Sequence, residues 1–581
     1  MKIIGLTCHY TGNHDNSAAL LIDGKIVFAE SEERITRIKH DRQFPIKSIK
    51  HNLKYKKLKI SDIDYFASAS PPTNLGKLLS HYFKGFTYTS TLEFFRWTLG
   101  RSLQMISSNS QNKNSHIPNT YYETNLPKKK LVFISHYLAH AETAYVFSEM
   151  DKCLIVAWDG YGLNEDGSPL CGSIYLGQNG ELTLLEEIPI YASLALYYGA
   201  VTIALGFKLN DGEGKTMGLA VYGKESPAVK EIRDIFPYFD GKKWIPRSNW
   251  LEVNSVSRTE FFKKTSTYKK IKKLIDMYGN QQIAFAAQKI LEVEAEKFFR
   301  YLVKKYQEKN IALAGGIFLN VKFNMKLLEN KIAKKLFIYP NPGDGGVAVG
   351  AALALYKKLG KKIPVVGMNN VYLGCEYNKN EIKKELKKFN KKIVFIDLAD
   401  KLPKTIASHV ANGKVVGWFQ GRGEWGPRAL GARSVLADPR FIETKDRINS
   451  KLKQRDWFMP FAPAILEEFS KKVLVHNFGT PYMTLTDDVK KNVAKKIPAA
   501  IHIDNTARSQ IVNKKTNPLY WSVINEFRKL TGIPVILNTS FNKHGLPIVH
   551  SPKEAIEHLI WGCVDELAIG PFLVIKASKK K

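Results

Sequence analysis

Apolar and polar positions over the first thirty residues fall in blocks that predict strand, loop, strand, turn and strand. Ile3 to Cys8 is apolar, His9 to Ser17 is polar around Gly12, and Ala18 to Ile22 is apolar again. Asp23-Gly24 between apolar runs predicts a two-residue hairpin turn before Ile26 to Ala29. The pattern returns later in the chain. Leu154 to Trp158 reads as a strand, Asp159 to Pro169 as a Gly/Asp-rich loop and Cys171 to Leu176 as a second strand. Gln178-Asn179-Gly180 then predicts a turn into a third strand, Leu182 to Ile188.

A duplicated hairpin unit, each copy followed by helices, points by fold-level analogy to the two-lobed actin-like ATPase (ASKHA) architecture. Leu131 to Ile134 reads as a short buried strand that opens a helical pattern through Ala141, Ala144 and Tyr145. Residues 71 to 130 carry Tyr82, Phe83, Phe86, Tyr88, Phe94, Phe95 and Trp97, and Ser107 to Asn119 reads as a loop. That insertion is expected either to line an acceptor pocket or to make a local helical core. Gln281 to Tyr306 is a long helical pattern ended by Gln307, Glu308, Lys309 and Asn310. Ile311 to Ala314 is a buried strand, Gly315 to Asn320 a turn, and Gly345 to Leu355 a small-residue helix start. Lys357 to Pro364 and the polar stretch at Asn369-Asn370 mark a boundary, giving expected domains 1–365 and 371–581, with a frayed tail from Ala577.

Composition adds bounds. A chain of 581 residues, 44% hydrophobic, is long enough for two to four domains with substantial cores. No run approaches the roughly 18 apolar residues of a membrane span, and Met1 to Cys8 lacks a signal-peptide pattern. Five scattered cysteines without CxxC spacing fit a reducing cytoplasm. The formal charge of +33 would suit nucleic acid, anionic membranes or phosphorylated small molecules. The excess is mostly lysine dispersed over helix faces, as at Lys383-Lys384 and Lys387-Lys388, so no membrane span and no stable nucleic-acid partner is expected.

Candidate chemistry begins at Ser135-His136-Tyr137-Leu138-Ala139-His140. Histidines four apart share one face of a helix and can grip one divalent metal, although an isolated pair is more often a core or surface feature. Asp159 and Asp344 each follow an apolar strand beside glycines, and with His136 and His140 they make a mixed nitrogen and oxygen set. Glycine turns at Gly212 to Gly218 (with Gly214 and Lys215), at Gly315-Gly316 with Asn320, and at Gly343 to Gly346 are candidate phosphate cradles. The first lacks P-loop spacing. The second domain concentrates guanidinium groups from Arg422 through Arg428 and Arg433. Lys453, Arg455 and Arg508 follow, with Asn538 and Ser540 later, as expected of a second anion site.

Taken together, these segments resemble the NodU/CmcH family of O-carbamoyltransferases. The resemblance rests on His14-Asp15 with Ser17 to Leu20, Glu32-Glu33-Arg34 through Asp41, and His136 with His140. It continues through Gly212 to Ala220, the Gly315 and Pro342 turns, and the arginine-rich set. It implies an α/β and α+β protein: an N-terminal duplicated actin-like domain, similar to the universal tRNA threonylcarbamoyl-transfer protein, followed by a YrdC-like α/β domain. The second domain would convert carbamoyl phosphate and ATP into carbamoyl-adenylate, with Mg2+ accompanying ATP. The first would pass the carbamoyl group to a hydroxyl of a small acceptor such as a sugar, glycolipid or natural product.

By the same resemblance His136, His140, Asp159 and Asp344 would hold Fe2+ or another divalent metal. Gly214, Lys215, Gly315, Gly316, Asn320, Gly343 and Gly345 would hold nucleotide. Arg428, Lys453, Arg455, Arg508, Asn538 and Ser540 would bind carbamoyl phosphate and ATP. His14 would be general base with Asp15 as orienter, and Lys39 would polarise the carbonyl. Leu546 stands where the family carries a Glu, and Val221 where a Pro is common. The runner-up is a tRNA-modifying or RNA-binding protein on the same folds; a small-molecule kinase would leave the second domain without a role. A homodimer is an option the resemblance leaves open.

Overall fold

The computed structural model describes residues 1–8, 15–71, 130–368, 370–454 and 456–577. The chain divides into two compact units. The first comprises residues 1–27, 42–49 and 56–367; the second comprises residues 28–41, 50–55 and 368–581.

Two five-stranded sheets share one topology. The first runs β3 (Lys25–Ser31), β2 (Ser17–Ile22), β1 (Lys2–Thr7), β4 (Tyr65–Ser68), β5 (Leu131–Phe133). The other runs β8 (Glu181–Pro189), β7 (Pro169–Gln178), β6 (Lys152–Leu163), then Asn310–Ala314 and Lys335–Ile338. In both, antiparallel pairing on one side of the first strand gives way to parallel pairing on the other. The first unit therefore has the duplicated actin-like fold.

The turn residues repeat with the sheets. Asp23 and Gly24 have φ of 47° and 79°, and Asn179 and Gly180 have 53° and 84°, the left-handed values a two-residue hairpin with right-twisted strands requires. One expectation is corrected. Asp159 to Leu163 is not loop: β6 continues to Leu163, with its register against β7 shifted between Trp158 and Gly162. This bulge gives Asp159 a new direction at the sheet's end.

Helix His136–Val146 packs against helix Val347–Lys358. Their approach is close enough that a Cβ at Gly350 would lie 1.8 Å from the Ala139 carbonyl oxygen, so only glycine fits. The buried pair Lys357–Glu142, at 2.7 Å, ties the same two helices together.

The second unit is built on an eight-stranded mixed sheet. Its order is Ile393–Asp397, Phe572–Lys576, Glu566–Ile569, Val416–Phe419, Arg433–Ala437, Val535–Ser540, Ala462–Leu466 and Gln510–Val512. Alternate side chains enter two cores. Phe419, Val435 and Leu537 pack on one face with Leu559 of helix Pro552–Ile560. Trp418, Leu436 and Ile536 pack on the other with Phe527 of helix Pro518–Thr531. This is the α/β arrangement expected of the YrdC-like part. Among the described residues, no helix is long and apolar enough to cross a membrane.

Candidate active site

Ser135 starts the histidine helix: its Oγ accepts from the Leu138 backbone N–H at 3.3 Å, an N-cap that fixes which residues share a face. His136 and His140 fall one turn apart and are both 1% exposed, with their Nε2 atoms 3.2 Å from each other. Asp159 arrives from the β6 bulge and Asp344 from a short 3-10 turn after Gly343. Asp159 Oδ2 lies 3.2 Å from His140 Nε2 and 4.0 Å from His136 Nε2; Asp344 Oδ1 lies 3.5 and 4.0 Å from His136 and His140. One ligand atom from each of the four lies within 4.8 Å of the others.

Donors about 2.0–2.2 Å from a shared cation stand roughly 3.0–3.6 Å apart, so this spacing fits a single divalent ion. Asp159 Oδ2 is buried and makes no hydrogen bond, while the other carboxylate oxygen accepts from the Gly160 N–H at 2.6 Å. Burial opposes charge on His136, but Asp159 and Asp344 outweigh it and hold the imidazole up at about 10. Burial, with His136 beside it, pushes His140 down. Asp159, despite its burial, is held well below the carboxylate range by the two imidazoles. The set is thus one imidazolium, one neutral imidazole and carboxylate, and a divalent cation entering it would displace a proton. Two imidazoles and two carboxylates accept iron(II), manganese or zinc.

Supporting residues explain the placement. A Cβ at Gly162 would lie 2.5 Å from His136 Cδ2, so the bulge must carry glycine for the ring to sit there. Thr7 Oγ1 donates to the Asp344 carbonyl at 3.0 Å and Ser17 Oγ to the Gly345 carbonyl at 2.8 Å, so the first hairpin grips the turn that presents Asp344. Sequence reasoning missed both roles; two small hydroxyls at facing strand ends were the available signal, since Thr7 pairs with Ser17 in the β1–β2 register.

Of the other residues named from sequence, Asp15 adopts a left-handed φ of 68°, and its Cβ is 3.6 Å from where a Gly345 Cβ would stand. Gly343 and Gly345 flank Asp344. His14 lies outside the described residues, as does the aromatic insertion at 72–129. Lys39 is half-buried in the second unit. Gly214 and Lys215 lie in helix Glu213–Ala220, with Lys215 Nζ 5.5 Å from the Phe207 ring centroid. Gly315 adopts φ 117° and Gly316 abuts Asp159. Asn320 has structural partners: its Oδ1 caps the next helix through Phe323 N at 3.1 Å, and its amide exchanges two hydrogen bonds with Gln288.

In the second unit Lys453 is 2% exposed and donates to Ser540 Oγ at 2.9 Å and Asn542 Oδ1 at 2.7 Å, as well as to their carbonyls. Asn538 donates to Ala429 O and Gln510 Oε1, and its own Oδ1 is buried without a hydrogen bond. Arg428 and Arg508 are half-buried, and Arg455 lies outside the described residues. Arg433 is engaged within the fold. It lies 3.6 Å over the Phe419 ring and donates to the carbonyls of Gln420, Gly421, Ala432 and Cys375. Burial pushes its guanidinium down to about 10. Arg34 and Arg37 likewise hold carbonyls, those of Glu424 and Gly426 and of Pro547 and Ile548. Arg37 also pairs with Glu554 at 3.2 Å, so beside Leu546 the contacts run through backbone oxygens and a carboxylate.

Residues 2–353 match the family model of the carbamoyltransferase N-terminus, and residues 407–576 that of the carbamoyltransferase C-terminus. The chain belongs to the carbamoyltransferase family. It is 32% identical to the nodulation protein NolNO of Sinorhizobium fredii over 573 residues, 97% of this chain and 79% of that one. It is 34% identical to the nodulation protein NolO of Bradyrhizobium diazoefficiens, over 76% of this chain and 79% of that one. An uncharacterised protein of Methanocaldococcus jannaschii is 31% identical over 99% of both chains. The carbamoyltransferase assignment sets aside the RNA-modifying runner-up. The quartet of His136, His140, Asp159 and Asp344 and the Thr7 and Ser17 clasp all fall inside the N-terminal match.

Proposed function

We propose that this carbamoyltransferase is ATP-dependent and works through carbamoyl-adenylate. The second unit binds carbamoyl phosphate and ATP; carbamoyl phosphate loses phosphate to water, and the resulting carbamate displaces pyrophosphate from ATP. Arg428, Lys453, Arg455 and Arg508 neutralise the phosphates, and Asn538 and Ser540 orient them. Asn538 Oδ1, buried beside Gln510 with no hydrogen bond, supports a polar ligand there.

The first unit transfers the carbamoyl group to an alcohol of a sugar-like or other small hydroxylated acceptor. A mixed anhydride with AMP supplies the leaving group that a carbamoyl carbon needs. Bound to His136, His140, Asp159 and Asp344, a divalent metal, iron(II) by family resemblance, would supply positive charge for the phosphate that departs. His14 takes the hydroxyl proton and Asp15 orients it. Gly214, Lys215, Gly315, Gly316, Gly343 and Gly345 receive the adenylate, with Asn320 holding the turn beside them. The observation that carries this reading is the convergence of four donors within 4.8 Å in a chain of this family.

The test is incubation with carbamoyl phosphate, ATP and Mg2+, following AMP and pyrophosphate, with mass spectrometry of candidate acceptors. AMP together with a gain of one carbamoyl group supports the proposal. Release of ADP, or turnover only with threonine, bicarbonate and RNA, overturns it.

A further inference from the structure

We propose that Glu30, His51, Cys375 and His550 form a separate metal site inside the second unit, taking a borderline-soft divalent cation of the zinc class. None of the four belongs to the machinery described above. They come from segments far apart in sequence: β3, helix Ile46–Tyr55, the chain before residue 378, and the turn into helix Pro552–Ile560. All fall within one compact unit.

Glu30, 3% exposed, is the hub. Its Oε2 lies 3.0 Å from His51 Nδ1 and 3.5 Å from Cys375 Sγ, and its Oε1 lies 3.0 Å from His550 Nδ1. Cys375 Sγ is 3.4 Å from His51 Nδ1. One donor atom from each residue lies within 4.8 Å of the other three.

Two readings compete, and geometry separates them. A thiol, an imidazole and a carboxylate could be a nucleophilic relay. A relay needs the thiol and the carboxylate on opposite ring nitrogens, so that a proton taken at one is balanced at the other. Here both meet the same nitrogen, His51 Nδ1. Three donors at the corners of a triangle with edges of 3.0, 3.4 and 3.5 Å face a common point instead. Ligands about 2.0 Å (nitrogen, oxygen) and 2.3 Å (sulfur) from tetrahedral zinc stand roughly 3.3–3.6 Å apart, close to those edges.

His550 supplies the fourth corner. It is 8% exposed, stacks on His51 with ring centroids 5.4 Å apart, and its Nε2 is buried without a hydrogen bond. Its one polar engagement in the cluster is through Nδ1. A thiolate and a carboxylate also balance a dipositive ion, and sulfur selects zinc over magnesium or calcium. Binding would convert the Cys375 thiol to thiolate, releasing its proton to solvent. Such an ion would cross-link four distant stretches of the second unit.

Cobalt(II) is the probe, because only a thiolate ligand gives a sulfur-to-cobalt charge-transfer band; the His136 quartet has no sulfur and is silent. Chelator-stripped full-length protein titrated with Co2+ should develop that band, lose it when Zn2+ is added, and keep it in Asp344→Ala. The band should be absent in Cys375→Ser. Cobalt-loaded protein without the band, or a band that survives in Cys375→Ser, overturns the proposal. Should Cys375→Ser fail to fold, His550→Gln retains the thiol and should weaken the cobalt affinity of the band at least tenfold; an unchanged affinity overturns the proposal equally.

Discussion

The His136 quartet of the first unit and the arginine-rich segment of the second are both dense in charge, yet they are built for different ends. In the quartet, imidazole nitrogens and carboxylate oxygens stand 3.2–4.0 Å from one another. In the arginine-rich segment the most buried guanidinium, that of Arg433, has four carbonyls and a ring around it, as a latch would. Arginine's five-donor fork satisfies backbone carbonyls as readily as phosphate, so its presence alone does not mark a ligand site. Converging acceptors and imidazoles have few structural uses and are more telling.

Breaking the quartet should have the largest effect. Asp344→Ala should remove one bound divalent ion per chain by elemental analysis and lower carbamoyl transfer by roughly 10^3-fold, with the fold intact by circular dichroism. A metal content equal to that of the unaltered chain would mean these four donors are a buried ion-pair cluster. Arg433→Met tests the other side of the contrast. Leaving four carbonyls without their donor should cost about 4 kcal/mol in denaturant unfolding of the second unit. A stability loss under about 1 kcal/mol, with loss of ATP binding, would recast Arg433 as a ligand residue.

A pH titration separates the units further. His558 accepts from Lys543 N at 3.1 Å, and its other ring nitrogen meets the Glu554 carbonyl at 2.7 Å, which suits the neutral ring. Burial pushes its pKa down to about 4 from 6.5. The unfolded chain therefore protonates first. The stabilisation is complete above pH 6.5 and is lost as pH falls toward 4, by up to about 3 kcal/mol. His558→Gln should flatten that acid limb in denaturation curves; an unchanged slope would assign the loss elsewhere. The smallest effect is expected from Gly162→Ala. Its methyl would meet His136 Cδ2 and should weaken metal affinity about tenfold in chelator competition while leaving ATP binding alone.

Local pattern was enough to reveal the repeated hairpins, because Asp23-Gly24 and Asn179-Gly180 carry their turn geometry in the residues themselves. It was also enough to pair His136 with His140, since helical periodicity puts them on one face. Asp159 and Asp344 were nameable because each follows an apolar run of sequence and stands beside glycine. The bulge that aims Asp159 and the meeting of Glu30, His51, Cys375 and His550 had no such mark, and the clasp of Thr7 and Ser17 showed only as two small hydroxyls at facing strand ends. They depend on which strands pair and which segments return to one place. Hydrophobic periodicity and turn chemistry act over a few residues and so are written along the chain, whereas the convergence of side chains hundreds of residues apart is set only when sheets and helices close around a shared core.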